Sequence, residues 1–211
     1  MTQALCPVCA VSYEEVAALA LELPSRPRVI ALDPKTLKES FSDVRTLAQA
    51  TGRLAAGEEL VRDAQERIER VAVAVGDRRR PRVIALEWLD PVYVAGHWTP
   101  ELISLAGGQD VLGLAGGPSR VVPWEAARAA EPEVVVVMPC GYDAPRAHAE
   151  ASLFAGELAG LHAGRVVAVD AAAYFSRPGP RLTDGVELLA QILHPSCATA
   201  AKAPGEAIAV L

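Results

Sequence analysis

Three short apolar runs, Val83–Leu86, Val134–Met138 and Arg165–Val169, alternate with helical patterns through the second half of the chain. Runs this short and this continuously apolar fit strands buried on both faces. Strand, helix, strand, helix, strand in order predicts a parallel sheet with right-handed crossovers, an α/β fold with flanking helices. Ligands of such sheets bind just past the carboxyl ends of the strands. The stretch Pro81–Trp98 is therefore the first place to look. It begins as a strand and passes into a predicted loop crowded with Glu87, Trp88, Asp90, Tyr93, His97 and Trp98.

Upstream, Tyr13–Leu23 reads as a helix, with Ser12 placed to cap it and Glu15 three residues on. Pro24 and Pro27 end it, and Val29–Leu32 is predicted as a buried strand closed by Asp33-Pro34. Thr36–Ala50 and the longer Ala56–Val75 are helical, the latter with Leu60, Val61, Ala64, Ile68, Val71 and Val75 along one side. Twenty residues of helix span about 30 Å. Arg78, Arg79 and Arg80 follow and read as a solvated helix end. Arg26–Asp33 and Arg80–Glu87 match at seven of eight positions, which predicts equivalent strands in two similar lobes joined by the long helix.

Downstream, Pro100–Ala106 is a short helix with Thr99 as its cap, and Gly113–Pro118 is a glycine-rich loop. Pro123–Ala130 and Pro145–Leu158 are helices, and Cys140–Asp143 is the loop closing the second strand run. Asp170–Arg181 is a loop carrying Tyr174, Phe175 and Arg177. Thr183 is expected to cap a last amphipathic helix through Leu193, and the tail from Pro195 reads as loose.

The three strand-end loops hold Trp88, Tyr93, Trp98, Tyr142, Tyr174 and Phe175, six of the chain's ten aromatic residues. Rings gathered in loops on one sheet edge point to a flat, apolar or conjugated ligand. Signals for catalysis are weak. Gly113-Leu-Ala-Gly116-Gly117 lacks the Lys-Ser/Thr of a phosphate loop, and no Gly-x-Ser-x-Gly elbow exists. No catalytic residue and no required cofactor is expected. His97 is the one histidine in a candidate site loop and reads first as a structural hydrogen-bonder. Cys6-x-x-Cys9 has zinc or redox spacing without a second pair nearby. An alternative brings Cys6, Cys9, His97 and Cys140 together as soft metal ligands, in a cytoplasmic metal- or thiol-handling protein.

The totals set outer limits. A length of 211 residues suits one large domain or two small ones. A net charge of −6 gives no reason to expect nucleic acid or an anionic membrane as partner. No apolar run is long enough to span a membrane, and no signal peptide is visible, so the chain as given reads as cytoplasmic. A start lying further upstream would make it periplasmic or cell-surface. Four cysteines are too few for a disulfide scaffold at this length.

The order of parts resembles one family. Val83–Trp98, then Pro100-Glu-Leu-Ile-Ser-Leu-Ala-Gly-Gly108, then Pro123-Trp124-Glu125 before a helix and Pro132-Glu-Val-Val-Val-Val137, are similar to the periplasmic binding proteins of ABC importers for cobalamin and iron–siderophores. The segment Cys6–Ser12 looks like its cobalamin-binding-like branch. The resemblance implies a class III arrangement: a partial N-terminal lobe (1–55), a rigid linker helix (56–77), a C-terminal α/β lobe (78–195) and a tail (196–211). It implies a binding protein without covalent chemistry, taking cobalamin or a related corrinoid, with haem or a ferric siderophore as the alternative. Glu87, Trp88, Asp90, Tyr93, His97, Trp98, Tyr142, Tyr174, Phe175 and Arg177 would line the site, and Glu150 or Glu157 would dock on a permease. A full member would carry roughly 70 further residues ahead of Cys6, so the N-terminal lobe is expected to be incomplete. Its uncovered sheet edge predicts self-association through residues 1–60. A degenerate fragment without a ligand is the remaining expectation.

Overall fold

A computed structural model describes residues 12–196 and 207–211. Cys6, Cys9 and Cys197 lie outside the described residues. The first helix, α1 (Tyr13–Glu22), opens with the expected capping box: Ser12 accepts from the Glu15 backbone N–H and the Glu15 carboxylate accepts from Ser12 N–H. A second box, Thr36 with Glu39, opens α2 (Leu37–Ala50). The long helix α3 (Leu54–Val75) is about 33 Å from end to end. It buries Val61, Ala64, Val71 and Val75 and packs on α2 through Gly57, where a Cβ would strike Ala48.

Val29–Leu32 is not a buried strand. Only a single bridge residue, Ala31, is found there; Ala31 is exposed, and Val29, Ile30 and Leu32 are half-buried. The near-identical copy at Arg80–Glu87 enters β1 (Arg82–Leu89). The difference is tertiary, because β1 has partners on both sides, while among the described residues the first copy joins none of the strands of the sheet.

β1 extends further than expected. What reads as a loop is a hairpin: β1 turns at Asp90-Pro91, a cis peptide, into β2 (Val92–Val94). After it come α4 (Thr99–Leu105), β3 (Gln109–Asp110), β4 (Arg120–Val121), α5 (Trp124–Ala129) and β5 (Val134–Val137). Then follow α6 (Ala144–Leu153), α7 (Ala155–Ala159), β6 (Arg165–Val169), α8 (Ala171–Tyr174), α9 (Leu182–Leu193) and β7 (Ala207–Ala209). The predicted helix 145–158 is thus two helices, broken where Phe154 leaves helical geometry to set its ring beside Trp124. The 170–181 loop contains α8, capped by Asp170. The tail is not wholly loose, since β7 adds an edge strand to β6.

Two predicted caps are replaced by backbone. Thr99 lies inside α4 and donates its N–H to Gly96 O, with Trp98 at the cap position. Thr183 lies inside α9, fully buried, with its hydroxyl unpaired. The Gly179 and Pro180 carbonyls accept the Leu182 and Thr183 N–H groups, so the turn itself satisfies the helix start.

The sheet has the order β4-β2-β1-β5-β6-β7, with β3 beside the start of β1. It is mixed. β3, β1, β5 and β6 run parallel; at the margins β2 and β7 run antiparallel to them, and β4, paired antiparallel with β2, runs in the direction of β1. Alternation sorts the central strands between two layers. Val83, Ala85 and Val136 face the core shared with α3, α4 and α9. Ile84, Leu86 and Val135 face the layer of α5, α6 and α7. Continuous apolar runs are what a doubly covered sheet requires.

At the amino edge of the parallel strands, helix C-termini converge, and arginines answer their exposed carbonyls. Arg78 donates to Ala74 O at 2.9 Å, Arg80 to Ser104 O at 3.0 Å and Arg82 to Ala130 O at 2.6 Å. Arg128 donates to Gly160 O at 2.8 Å, and Arg165 to Ile192 O. Each charge sits at the negative end of a helix dipole. Arg79 instead forms a two-nitrogen pair with Glu133.

Candidate functional site

The carboxyl edge is built differently. Loop 139–143 leaves β5 beside β1, and Cys140 N–H donates to Glu87 O at 3.2 Å. The next strand's loop joins it: Ala172 N–H donates to Tyr142 O at 3.0 Å, and Gly141 N–H to Ser176 Oγ at 3.0 Å. The hairpin's far end closes the ring, where the Trp98 indole N–H donates to Phe175 O at 2.8 Å. Backbone and side-chain bonds therefore bring together all three strand ends singled out in the sequence.

The aromatic residues divide into two sets. Trp88 and Tyr142 meet edge to face with centroids 5.6 Å apart, and the guanidinium of Arg146 lies 3.7 Å over the Tyr142 ring. Tyr93 is the cross-strand partner of Trp88 and is exposed, so both side chains belong to one face of the hairpin. Tyr174 is half-buried, its hydroxyl pushed up by burial and by Asp170 and Asp184. Trp98 and Phe175 are 6% and 4% exposed. They are core residues that hold the wall from behind and present little surface to a ligand.

Among the polar residues, Asp90 is exposed in the hairpin turn, and Arg177 is exposed. Glu87 faces inward. Its carboxylate accepts from Ser119 Oγ and from the Gly96 N–H, and burial raises its pKa. Asp110 is raised in the same way, with one carboxylate oxygen buried and unpaired while the other accepts from Leu112 and Gly113 N–H groups at 3.0 and 2.5 Å. Together Glu87 and Asp110 pin both ends of the glycine-rich loop. A Cβ at Gly96 would run into the backbone of Pro118 and Ser119, so that close approach requires glycine.

His97 takes positive φ, +52°, because its backbone is zipped to this loop. Its N–H donates to Gly117 O at 2.5 Å, and its carbonyl accepts from Gly116 N–H at 2.8 Å. The imidazole sits 5.7 Å from the Trp98 ring, centroid to centroid. Burial, then the Lys35 charge, lower its pKa and favour the neutral imidazole. The N-terminal segment also reaches this rim: Leu37 N–H donates to Glu101 Oε2 at 2.9 Å.

Cys140 is exposed, and Cys6 and Cys9 lie outside the described residues. Among the described residues no three metal-ligating side chains gather. The residue that sequence reasoning missed is Arg146. The signal was its position four residues after Tyr142 at a helix start. A depression of about 680 Å³ lies at the opposite, amino edge, lined by residues including Arg79, Arg128, Glu133 and Arg165. Its arginines are already committed to helix-end carbonyls and to Glu133, and none of the sequence-predicted site residues lines it.

A long helix packed on a mostly parallel sheet, with loops converging at the carboxyl edge, defines the α/β class of substrate-binding lobes. The sequence profile described as "Periplasmic binding protein" matches residues 11–170, and the chain belongs to that family. No curated protein matches. Among solved structures, an ABC transporter substrate-binding protein from Listeria monocytogenes EGD-e superposes with a TM-score of 0.72 at 16% identity, covering 87% of this chain and 75% of that one. A periplasmic heme binding protein from Pseudomonas aeruginosa gives 0.71 at 21% identity, covering 89% and 70%. The periplasmic vitamin B12 binding protein BtuF of Vibrio cholerae gives 0.65 at 22% identity, covering 90% and 72%. At these identities the shared property is the class III substrate-binding fold. Among the described residues, no helix is long and apolar enough to cross a membrane.

Proposed function

We propose that this chain is the ligand-binding component of an ABC importer, taking a large, flat, conjugated metal macrocycle at its carboxyl edge without covalent chemistry. The observation that carries this reading is the ladder Trp88–Tyr142–Arg146, which offers ring edges, a ring face and a cation on the edge where α/β sheets receive ligands. Family membership supports the transport role, and proteins described as binding vitamin B12 or heme share the fold. Two macrocycles are the candidates for this wall: a corrinoid such as cobalamin, and haem.

The test is titration with hydroxocobalamin, cyanocobalamin and ferric haem, followed by tryptophan fluorescence and by the macrocycle's own absorbance. Trp88 is half-buried beside Tyr142, so ligand contact there quenches emission. No change with any of the three at tens of micromolar rejects the proposal.

A further inference from the structure

We infer that Arg146, assisted by Arg177, is a specificity residue that selects flat ligands carrying peripheral carboxylates over those whose edges are neutral amides. The inference rests on the binding function proposed above and names the ligand chemistry of that site.

The arginines at the two edges of the sheet are used differently. At the amino edge, Arg78, Arg80, Arg82, Arg128 and Arg165 each bond a helix-end carbonyl, and Arg79 is paired with Glu133. At the carboxyl edge, Arg146 and Arg177 are both exposed. Among the described residues neither guanidinium has an ion pair or a hydrogen bond. Two acids of these loops serve as helix caps: Asp143 Oδ1 caps α6 by accepting from Arg146 N–H at 2.9 Å, and Asp170 Oδ1 caps α8 through Ala173 N–H at 2.7 Å.

Arg146 is nevertheless held in place. Its guanidinium stacks on Tyr142, whose carbonyl is fixed by Ala172 N–H and whose ring is set against Trp88. Stacking on a ring face uses the flat side of the guanidinium and leaves its in-plane N–H groups directed outward. Those donors form the planar fork that matches a carboxylate. A macrocycle laid against Trp88 and Tyr142 would bring substituents at its rim to this fork, with Arg177 supplying a second cation from the adjoining loop. A neutral amide offers one carbonyl acceptor and no charge, so it gains less.

The experiment measures dissociation constants for ferric protoporphyrin IX with both carboxylates free, for its dimethyl ester, and for cyanocobalamin. It uses the full chain at 0.1 and 0.5 M salt, with Arg146→Gln, Arg146→Lys and the double variant Arg146→Gln/Arg177→Gln alongside. Both residues are exposed, and circular dichroism confirms that each variant is folded. The wild-type chain is expected to bind the free acid about tenfold more tightly than the ester, with the gap narrowing at high salt. Arg146→Gln closes most of that gap by weakening free-acid binding much more than ester binding, and Arg146→Lys restores part of it. Equal affinity for acid and ester, a gap that survives in the double variant, or binding of cyanocobalamin alone overturns the inference and leaves the binding function standing. Failure of all three macrocycles to bind overturns both.

Discussion

The indole N–H of Trp98 donates to the carbonyl oxygen of Phe175 at 2.8 Å, a buried bond that ties the hairpin strand end to the last loop of the carboxyl edge. Replacing Trp98 by Phe keeps a ring in the core and removes only the donor, leaving the Phe175 carbonyl buried and unpaired. A loss of about 1–3 kcal/mol is expected, read as a lower urea midpoint with an unchanged m-value. A midpoint within experimental error of wild type would contradict this account of the wall.

Arg67 on α3 reaches both Asp184 and Glu187 on α9, and it is the ionic tie between the long helix and the lobe core. The pairing holds the arginine well above its usual pKa, so it is charged at every accessible pH. Arg67→Met strands two carboxylates, one of them on nearly buried Glu187, and is expected to cost about 2–3 kcal/mol. Arg67→Met/Glu187→Leu is expected to recover part of that loss, measurable as a double-mutant cycle.

The bidentate bond from Arg79, then the Arg82 backbone N–H, hold the Glu133 carboxyl down at about 2. A depressed folded pKa contributes stability above the unfolded value near 4.5, and that stability disappears as pH falls toward 2. The Tm of wild type should therefore exceed that of Glu133→Gln at pH 7, with the two converging between pH 4.5 and 2. Parallel curves across that window would remove Glu133 from the acid sensitivity of the fold.

Asp110 gives the opposite sign. Burial raises its carboxyl, outweighing the Gly113 and Leu112 N–H bonds and the Arg120 charge. Its folded form holds the proton more tightly than its unfolded form, so the group costs stability as pH rises through and above the ordinary carboxylate range. Asp110→Asn preserves the acceptor for both loop N–H groups and removes the charge. The variant should be more stable than wild type at pH 8 and indistinguishable from it below about pH 4. A lower Tm at pH 8 would show that the ionised form is needed.

Much of this molecule is legible in its sequence, for reasons that differ by element. Val83–Leu86, Val134–Val137 and Arg165–Val169 are readable because a strand covered on both faces leaves no polar position in its middle. The α1 cap is readable because Ser12 and Glu15 complete a local bond pattern that needs no tertiary partner. β2 was hidden because three residues beside Pro91 carry almost no periodic signal, and β7 because an edge strand in an alanine-rich tail buries one side only. The convergence of the three strand ends was readable from topology. The split between exposed Tyr93 and buried Trp98 was not, since burial of a loop aromatic depends on what folds over it. Arg146 escaped for a related reason: stacking on Tyr142 is visible only once α6 fixes where both side chains meet.

The paired octapeptides at Arg26–Asp33 and Arg80–Glu87 offer the chain two candidates for one strand position. The copy that does not become β1 leaves the ribosome 54 residues ahead of the one that does. Both carry the Val-Ile-Ala-Leu that β5 pairs with, so strand chemistry alone does not choose between them. The choice falls to connectivity. The second copy runs within ten residues into its own hairpin partner β2, and it reaches β5 over about fifty residues where the first must close more than a hundred. Short closures form earlier and at lower entropic cost. The three residues Glu87, Trp88 and Leu89 that separate Leu86 from Asp90-Pro91, absent between Leu32 and Asp33-Pro34, extend the second copy into that hairpin and so distinguish the copy that joins the sheet.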